Sequence, residues 1–321
     1  MDVNWSELQP ELVQLIANKL TSYIDYIRFR SVCVNWHSTL SPTHRYLPYQ
    51  FPWLMLPYTG NCCRFFNLSA NKVYQLNLPL PKAPVPSRCC GSSHGWLVFQ
   101  VENNPSIFLF NPLTSIQIQL PPLTAFPNVL DFDVNKVGKE YLFRDSPTND
   151  PYRCSAVDIL DSFIKKVVFS SSPTSDEYIV LVIMNETGQL VYCKKGFESW
   201  KMIDGAQGYS QDVIFYKGLF YAVTKRGAIA ICDVTGESPV VTIITTPPLR
   251  RPLPSRTILV DYDRYYSDEL LYLVDVLGEL LLVARYFELV VDTEPNMSVY
   301  KTVGFFKLIS PVIFDLNCFI P

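Results

Sequence analysis

This chain is poor in the residues that carry most enzyme chemistry. It has 3 His, at positions 37, 44 and 94, in 321 residues. His is the commonest metal ligand and the side chain best tuned for proton transfer near neutrality, so a general base or metal set has few places to come from. There is no Gly-Gly doublet and no Trp-Asp dipeptide, and the 13 Gly are outnumbered by 25 Pro. No long apolar run is free of charge. The most hydrophobic stretch, Leu270 to Val291, carries Asp275, Glu279, Arg285 and Glu288, which argues against a membrane span. Neither sign of charge dominates, and the net is −3. The basic doublets Lys165-Lys166, Lys194-Lys195 and Arg250-Arg251 are too sparse for a nucleic-acid footprint and read as solvated loops or strand edges. The stretch MDVNWSELQPE lacks the basic and apolar regions of a secretory signal. Nine Cys without an export signal read as reduced thiols, so an intracellular protein of nucleus or cytoplasm is expected.

What the chain does have is organised in two styles. Between Trp5 and Leu40 the period is helical. Pro10 suits a first helical position, and Leu12, Leu15, Ile16 and Leu20 recur at the spacing of one apolar face. Ser22 with Asp25 predicts a capping box for a second helix carrying Ile24 and Ile27. Val32, Cys33, Trp36 and Leu40 form a third stripe, closed by Ser41-Pro42. Taken alone, these stripes fit two arrangements equally: the core of a small helical subdomain packed on the rest of the chain, or an exposed surface for another polypeptide.

From Phe51 onward no amphipathic helix is evident. Short apolar runs, rich in Val, Ile, Phe and Tyr, alternate with turn signals such as Asn111-Pro112, Asn185 to Gly188, Lys217-Gly218 and Leu277-Gly278. Many short strands with close turns predict an all-β sandwich, barrel or propeller. A repeated unit favours the propeller: a Gly turn, two apolar strands and a strand leading into a Pro pair run from Gly95 to Pro122 and again from Gly218 to Pro248. Repeats of roughly 40–50 residues are blade-sized, which predicts about five or six blades.

The head resembles an F-box through Trp5-Ser6-Glu7-Leu8, Pro10-Glu11-Leu12, Ile16, Leu20, Arg28 to Cys33 and Trp36, with Gln9 where such modules usually carry a first Pro. The body resembles the kelch-like β-propeller domain of a large plant F-box family, here termed F-box/KIB-type. The matching stretches are Pro52 to Leu56, Gly91 to Leu97, Phe110 to Thr114, Asp212-Val213 with Gly218 to Val223, and Tyr300 to Phe305. Beyond Leu308 the sequence departs from that pattern, so the propeller is expected to be incomplete at its C-terminus. The expected architecture is mostly β, a short three-helix head over 1–45, a linker with first strands over 46–90 and the rest of a β-propeller over 91–321.

The resemblance implies the substrate-recognition subunit of an SCF-type (Skp–cullin–F-box) ubiquitin ligase, with no bond chemistry, cofactor or metal of its own. It implies an Skp-type adaptor, and through it a cullin, docked by Leu8, Pro10, Leu12, Ile16, Val32, Cys33 and Trp36, with Trp36 as the anchor. It also implies a target protein held by the propeller. The polar loops Arg144–Arg153, Ser170–Glu177 and Leu249–Arg256 are candidates for that contact, with Arg144, Asp145, Arg250, Arg251 and Arg256 as candidate contacts.

The alternative is a propeller enzyme or small-ligand binder with an incidental helical head. Its candidates are few. Gly91-Ser92-Ser93-His94-Gly95 matches the nucleophile-elbow pattern, but strand-like residues follow where a helix is needed, which favours a tight turn into a strand. Cys33 and His37 share a helical face but have no second pair at zinc spacing. Gly138-Lys139 lacks the Gly and Ser/Thr of a phosphate loop. Asp261 and Asp263 remain as a candidate carboxylate pair.

Overall fold

The computed structural model describes residues 4–41, 52–59, 62–77, 87–102, 104–136, 139–146, 148–185, 187–236, 238–245 and 270–285, and the strands at 288–291, 298–301 and 307–309. Compactness divides the chain into two units, Met1–Pro79 and Leu80–Pro321. The first holds the N-terminal helices and one sheet.

The helical head begins with a 3-10 turn, Trp5–Glu7, capped by the Asn4 side chain, which accepts the Ser6 N–H. Pro10 then opens α1 (Pro10–Ala17) at its first position, as the missing N–H of proline allows there. Ser22 is the N-cap residue of α2 (Tyr23–Arg30), but its side chain makes no capping bond; Asp25 instead lies 3.7 Å from Arg28 along the helix. The expected capping box is therefore absent. Cys33 caps α3 (Val34–Thr39), its sulfur accepting the Trp36 N–H at 3.5 Å.

Among the described residues every strand pairing is antiparallel, and most of the sheets are meanders. The first is β1 (Leu54–Thr59), β2 (Cys62–Asn67) and β3 (Lys72–Asn77). The second unit opens with β4 (Ser87–Ser93), β5 (Trp96–Val101), β6 (Ile107–Phe110) and β7 (Gln117–Leu120). A third sheet follows from β8 (Val129–Asp133), β9 (Glu140–Phe143) and β10 (Tyr152–Ser155). It leads into a helix the sequence reading did not foresee, α4 (Ala156–Ser162), capped by Ser155 on the Asp158 N–H. Its seven residues are too few to display a helical period. The fourth sheet is β11 (Ile164–Phe169), β12 (Ile179–Met184), β13 (Gln189–Lys194) and the short β14 (Lys201–Met202). The fifth is β15 (Asp212–Tyr216), β16 (Leu219–Val223), β17 (Ile229–Asp233) and β18 (Val240–Ile243). The sixth pairs β19 (Leu270–Val276) and β20 (Glu279–Arg285) with the later β23 (Lys307–Ile309), while β21 (Glu288–Val291) and β22 (Ser298–Lys301) form a separate hairpin.

The predicted turns are where the sequence placed them. His94-Gly95, Lys217-Gly218 and Leu277-Gly278 each join the first two strands of a sheet, with both residues at positive φ. That is the backbone of a two-residue hairpin whose twist matches its strands. Gly188 is more constrained. Its φ is +65°, and an added Cβ would stand 2.5 Å from the Ser210 nitrogen. Gly188→Ala should therefore cost about 1–3 kcal/mol by urea denaturation, the range for strained backbone. Gly205→Ala, also left-handed but with open space around it, should cost less. Equal losses for the two variants would mean that crowding at Ser210 contributes nothing.

Hydrophobic cores lie between successive sheets of the second unit. One core joins the second, third and fourth sheets around Phe126, Tyr141, Phe143 and Trp200. The next joins the fourth and fifth, and a third joins the fifth and sixth. The first strands run side by side. Gly91 in β4 lies against Val167 in β11, where a Cβ would come within 2.9 Å of the Val167 carbonyl oxygen. The buried Asp212 of β15 pairs with Lys166 of β11 and accepts the Leu273 N–H of β19 at 2.8 Å. Face-to-face meanders with adjacent inner strands are the architecture of propeller blades. The third sheet is irregular in this scheme: β4 and β11 touch directly although it lies between them in sequence. Buried Cys90, Cys193 and Cys232 sit inside this packing, and burial pushes the thiols of Cys193 and Cys232 up to about 12. The expected incompleteness past Leu308 concerns residues beyond 309, which lie outside the described residues.

Candidate functional site

The head divides its apolar side chains into two sets. Val13, Ala17, Tyr26, Trp36 and Leu40 form a core of its own, with Leu8, Leu20, Ile27, Phe29 and Cys33 packed against it. Trp36 is the centre of that core. It is 7% exposed, its ring lies 4.4 Å from Phe29, and its Nε1 donates to the Trp5 carbonyl at 3.2 Å. Further bonds hold the ends together. Asn35 donates to the Ser6 carbonyl, Arg30 Nε to the Leu40 carbonyl and the Tyr26 hydroxyl to the Ser41 carbonyl at 2.7 Å.

The second set faces solvent. Leu12, Leu15 and Ile16 are 43%, 56% and 40% exposed along α1, and Val32 and Val34 are 59% and 85% exposed where α3 begins. Trp5 is exposed as well. Isolated exposed hydrophobes are ordinary, but a group this dense on forty residues is the candidate docking face of the head. Of the expected adaptor contacts, Pro10, Leu12, Ile16 and Val32 are exposed, and Leu8 and Cys33 are half-buried. Trp36, the expected anchor, is buried in the head's own core in the free chain. The apolar stripe at 12, 15 and 16 is the exposed face of α1, whose buried residues are Val13 and Ala17. Leu15, Val34 and Trp5 were missed as candidates, although Leu15 was already on the stripe.

Two of the candidates for chemistry resolve into ordinary structure. Ser93 ends β4 and His94-Gly95 is a hairpin turn, so the Gly-x-Ser-x-Gly match runs strand–turn–strand, without the helix an elbow requires. Ser93 Oγ and His94 Nδ1 are 2.9 Å apart on that exposed turn, and burial draws the imidazole pKa down. The Cys33 sulfur is engaged in capping α3. Among the described residues no group of three or more His, Cys, Asp or Glu is placed to hold a metal ion.

On the body, Arg144 and Asp145 are exposed, and Asp145 accepts the Tyr152 hydroxyl at 3.0 Å. Arg250, Arg251 and Arg256, the loop containing them, and Asp261 and Asp263 lie outside the described residues. The basic doublets that are described do more than face solvent. Lys166 pairs with Asp212, Lys194 donates to the Thr235 carbonyl and Lys195 to the Ser175 carbonyl.

A family model described as KIB1-4 beta-propeller matches residues 65–308. A putative F-box protein of Arabidopsis thaliana is 25% identical over 249 residues, covering 77% of this chain and 61% of that protein. The F-box protein SKIP23 of the same plant is 27% identical over 304 residues, covering 92% of this chain and 67% of its own length. An Arabidopsis F-box/kelch-repeat protein is 25% identical over 290 residues, covering 88% and 68%. The chain thus spans between about three fifths and two thirds of the length of these relatives.

Proposed function

Because this chain belongs to the KIB1-4 beta-propeller family, we propose that it is the substrate-recognition subunit of an SCF-type ubiquitin ligase, acting inside the cell in nucleus or cytoplasm. Its helical head docks an Skp-type adaptor, and the adaptor brings a cullin. The propeller holds a target protein. The chain forms and breaks no bonds itself. It raises the local concentration of target lysines near a conjugating enzyme carried elsewhere in the assembly, which is a gain in effective molarity.

The observation that carries this reading is the exposed row Leu12, Leu15 and Ile16 on a head whose own core is already complete without it. An apolar face that the fold does not use is one that a partner can bury, at about 25 cal/mol per Å² of area removed from water. The relatives named as F-box proteins are consistent with that partner being an Skp-type adaptor.

The test uses purified full chain and a purified Skp-type adaptor. Leu12→Asp/Ile16→Asp should weaken binding by at least tenfold, as the loss of central interface contacts does. Its circular dichroism should not change, because both side chains face water in the free protein. Unaltered affinity in the double variant would remove the α1 face from the interface and with it this reading.

A further inference from the structure

The second unit contains a pocket of about 260 Å³ between the fourth and fifth sheets. Three connections meet there: the loop from β11 to β12, the turn from β15 to β16 and the end of β17. Its floor is apolar, built from Tyr178, Ile179, Phe215, Leu219 and Phe220. The ionisable carboxylates among its lining residues are Glu177 and Asp233, both exposed. Asp233 is held in place. Its Oδ1 accepts the Thr235 N–H at 2.9 Å and the Thr235 hydroxyl at 2.6 Å, and these bonds draw its pKa below the ordinary carboxylate value. Among the described residues no lysine or arginine lines the pocket, and each neighbouring lysine has a contact of its own. Lys194 is on the Thr235 carbonyl, from where its charge also favours the ionised Asp233, Lys195 is on the Ser175 carbonyl, and Lys217 lies over the Tyr216 ring.

Size narrows the occupant. At about 260 Å³ it lies just below the roughly 300–1,000 Å³ usual for cofactor and drug-sized ligand sites, and a single large side chain is an occupant of suitable size. Chemistry narrows it further. A long cationic side chain lays its methylene stem on apolar surface and keeps its charged head at the rim, where carboxylates await it. The surroundings extend the surface. The Tyr216 hydroxyl donates to the Gly278 carbonyl, which fixes the β15–β16 turn beside the β19–β20 turn. On that second turn Leu277 stands 89% exposed in left-handed backbone.

We propose that this pocket is the target-recognition site of the propeller, and that it takes an Arg or Lys side chain from an unstructured basic segment of the target. The proposal rests on the target-holding role inferred above, and it places that role on the pocket between the fourth and fifth sheets. The Ser170–Glu177 loop, one of three segments the sequence offered for target contact, supplies Ser170 and Glu177 to the pocket wall.

The test probes full chain on an immobilised array of synthetic peptides in which each position of an alanine-rich segment is varied through the side-chain types. Adaptor capture is measured on the same preparations. Retained peptides should be enriched in Arg or Lys next to an apolar residue, and retention should fall as salt rises. Glu177→Gln/Asp233→Asn should reduce that signal at least tenfold while leaving adaptor capture unaltered, since the amide introduced by Asp233→Asn keeps an oxygen for the Thr235 bonds. Lys194→Gln, which removes a nearby cation, should not weaken retention. No basic preference, or the same preference in the double variant, overturns the proposal while adaptor capture keeps the docking reading intact. Basic-peptide retention without adaptor capture would do the reverse.

Discussion

Trp36→Ala is expected to abolish adaptor binding by unfolding the head. The indole is 7% exposed in a core whose other buried members, among the described residues, are Val13, Ala17, Tyr26 and Leu40. Removing a buried Trp typically costs about 3–5 kcal/mol. A helical module of this size has a core too small to absorb such a loss. The indole also ties the start of the head to α3 through the Trp5 carbonyl, a link alanine cannot make. Limited proteolysis should therefore cut residues 4–41 rapidly in Trp36→Ala and slowly in Leu12→Asp/Ile16→Asp, although both lose the adaptor. A protease-resistant Trp36→Ala head that still fails to bind would return the indole to the interface.

Asp212→Ala should be the most damaging single substitution among the polar residues of the body. Asp212 is 2% exposed. One oxygen pairs with Lys166 and accepts the Val213 N–H at 2.9 Å, and the other accepts the Leu273 N–H at 2.8 Å. A single side chain thus bonds the inner strands of the fourth, fifth and sixth sheets. Alanine leaves the buried Leu273 amide without an acceptor, which costs about 1–3 kcal/mol, and leaves without its counter-ion a lysine that is 38% exposed, a loss that water largely offsets. Asp212→Asn keeps one acceptor oxygen and should lose less. Urea denaturation of the second unit measures the sum, and hydrogen exchange at the Leu273 amide locates it. A loss under about 1 kcal/mol, the worth of an ordinary hydrogen bond, would mean that the three strands are held together by their apolar faces alone.

The sequence made the style of each part plain and the role of single residues less so. Pro10, the apolar period of α1 and the Gly turns are local signals, and local signals survive in a lone sequence. His94-Gly95, Lys217-Gly218 and Leu277-Gly278 mark hairpins because positive φ at two successive residues is costly to most side chains. Strands β8, β9 and β10 were not foreseen, because each runs only four or five residues and Asp131, Asp133, Glu140 and Arg153 interrupt or flank their apolar side chains. Direction was the harder matter. Periodicity says that Leu12, Leu15 and Ile16 share a face, but not whether that face looks in or out. Trp36 illustrates the converse: a large aromatic in a binding module invites the role of anchor, and only coordinates reveal that its own neighbours have already claimed it. The Asp212 cluster was invisible for a different reason. Its members lie 46 and 61 residues away in sequence, and no local pattern joins them.

The placement of the body's thiols has a chemical corollary. Sulfur attacks oxidants and electrophiles as the thiolate, and Cys193 and Cys232 are held in the neutral form by burial between sheets. Peroxide thus meets a body in which these two sulfurs stay unreactive for as long as its strands remain shut. Oxidation there follows damage to the fold instead of causing it, and these cysteines serve the protein as small apolar fillers.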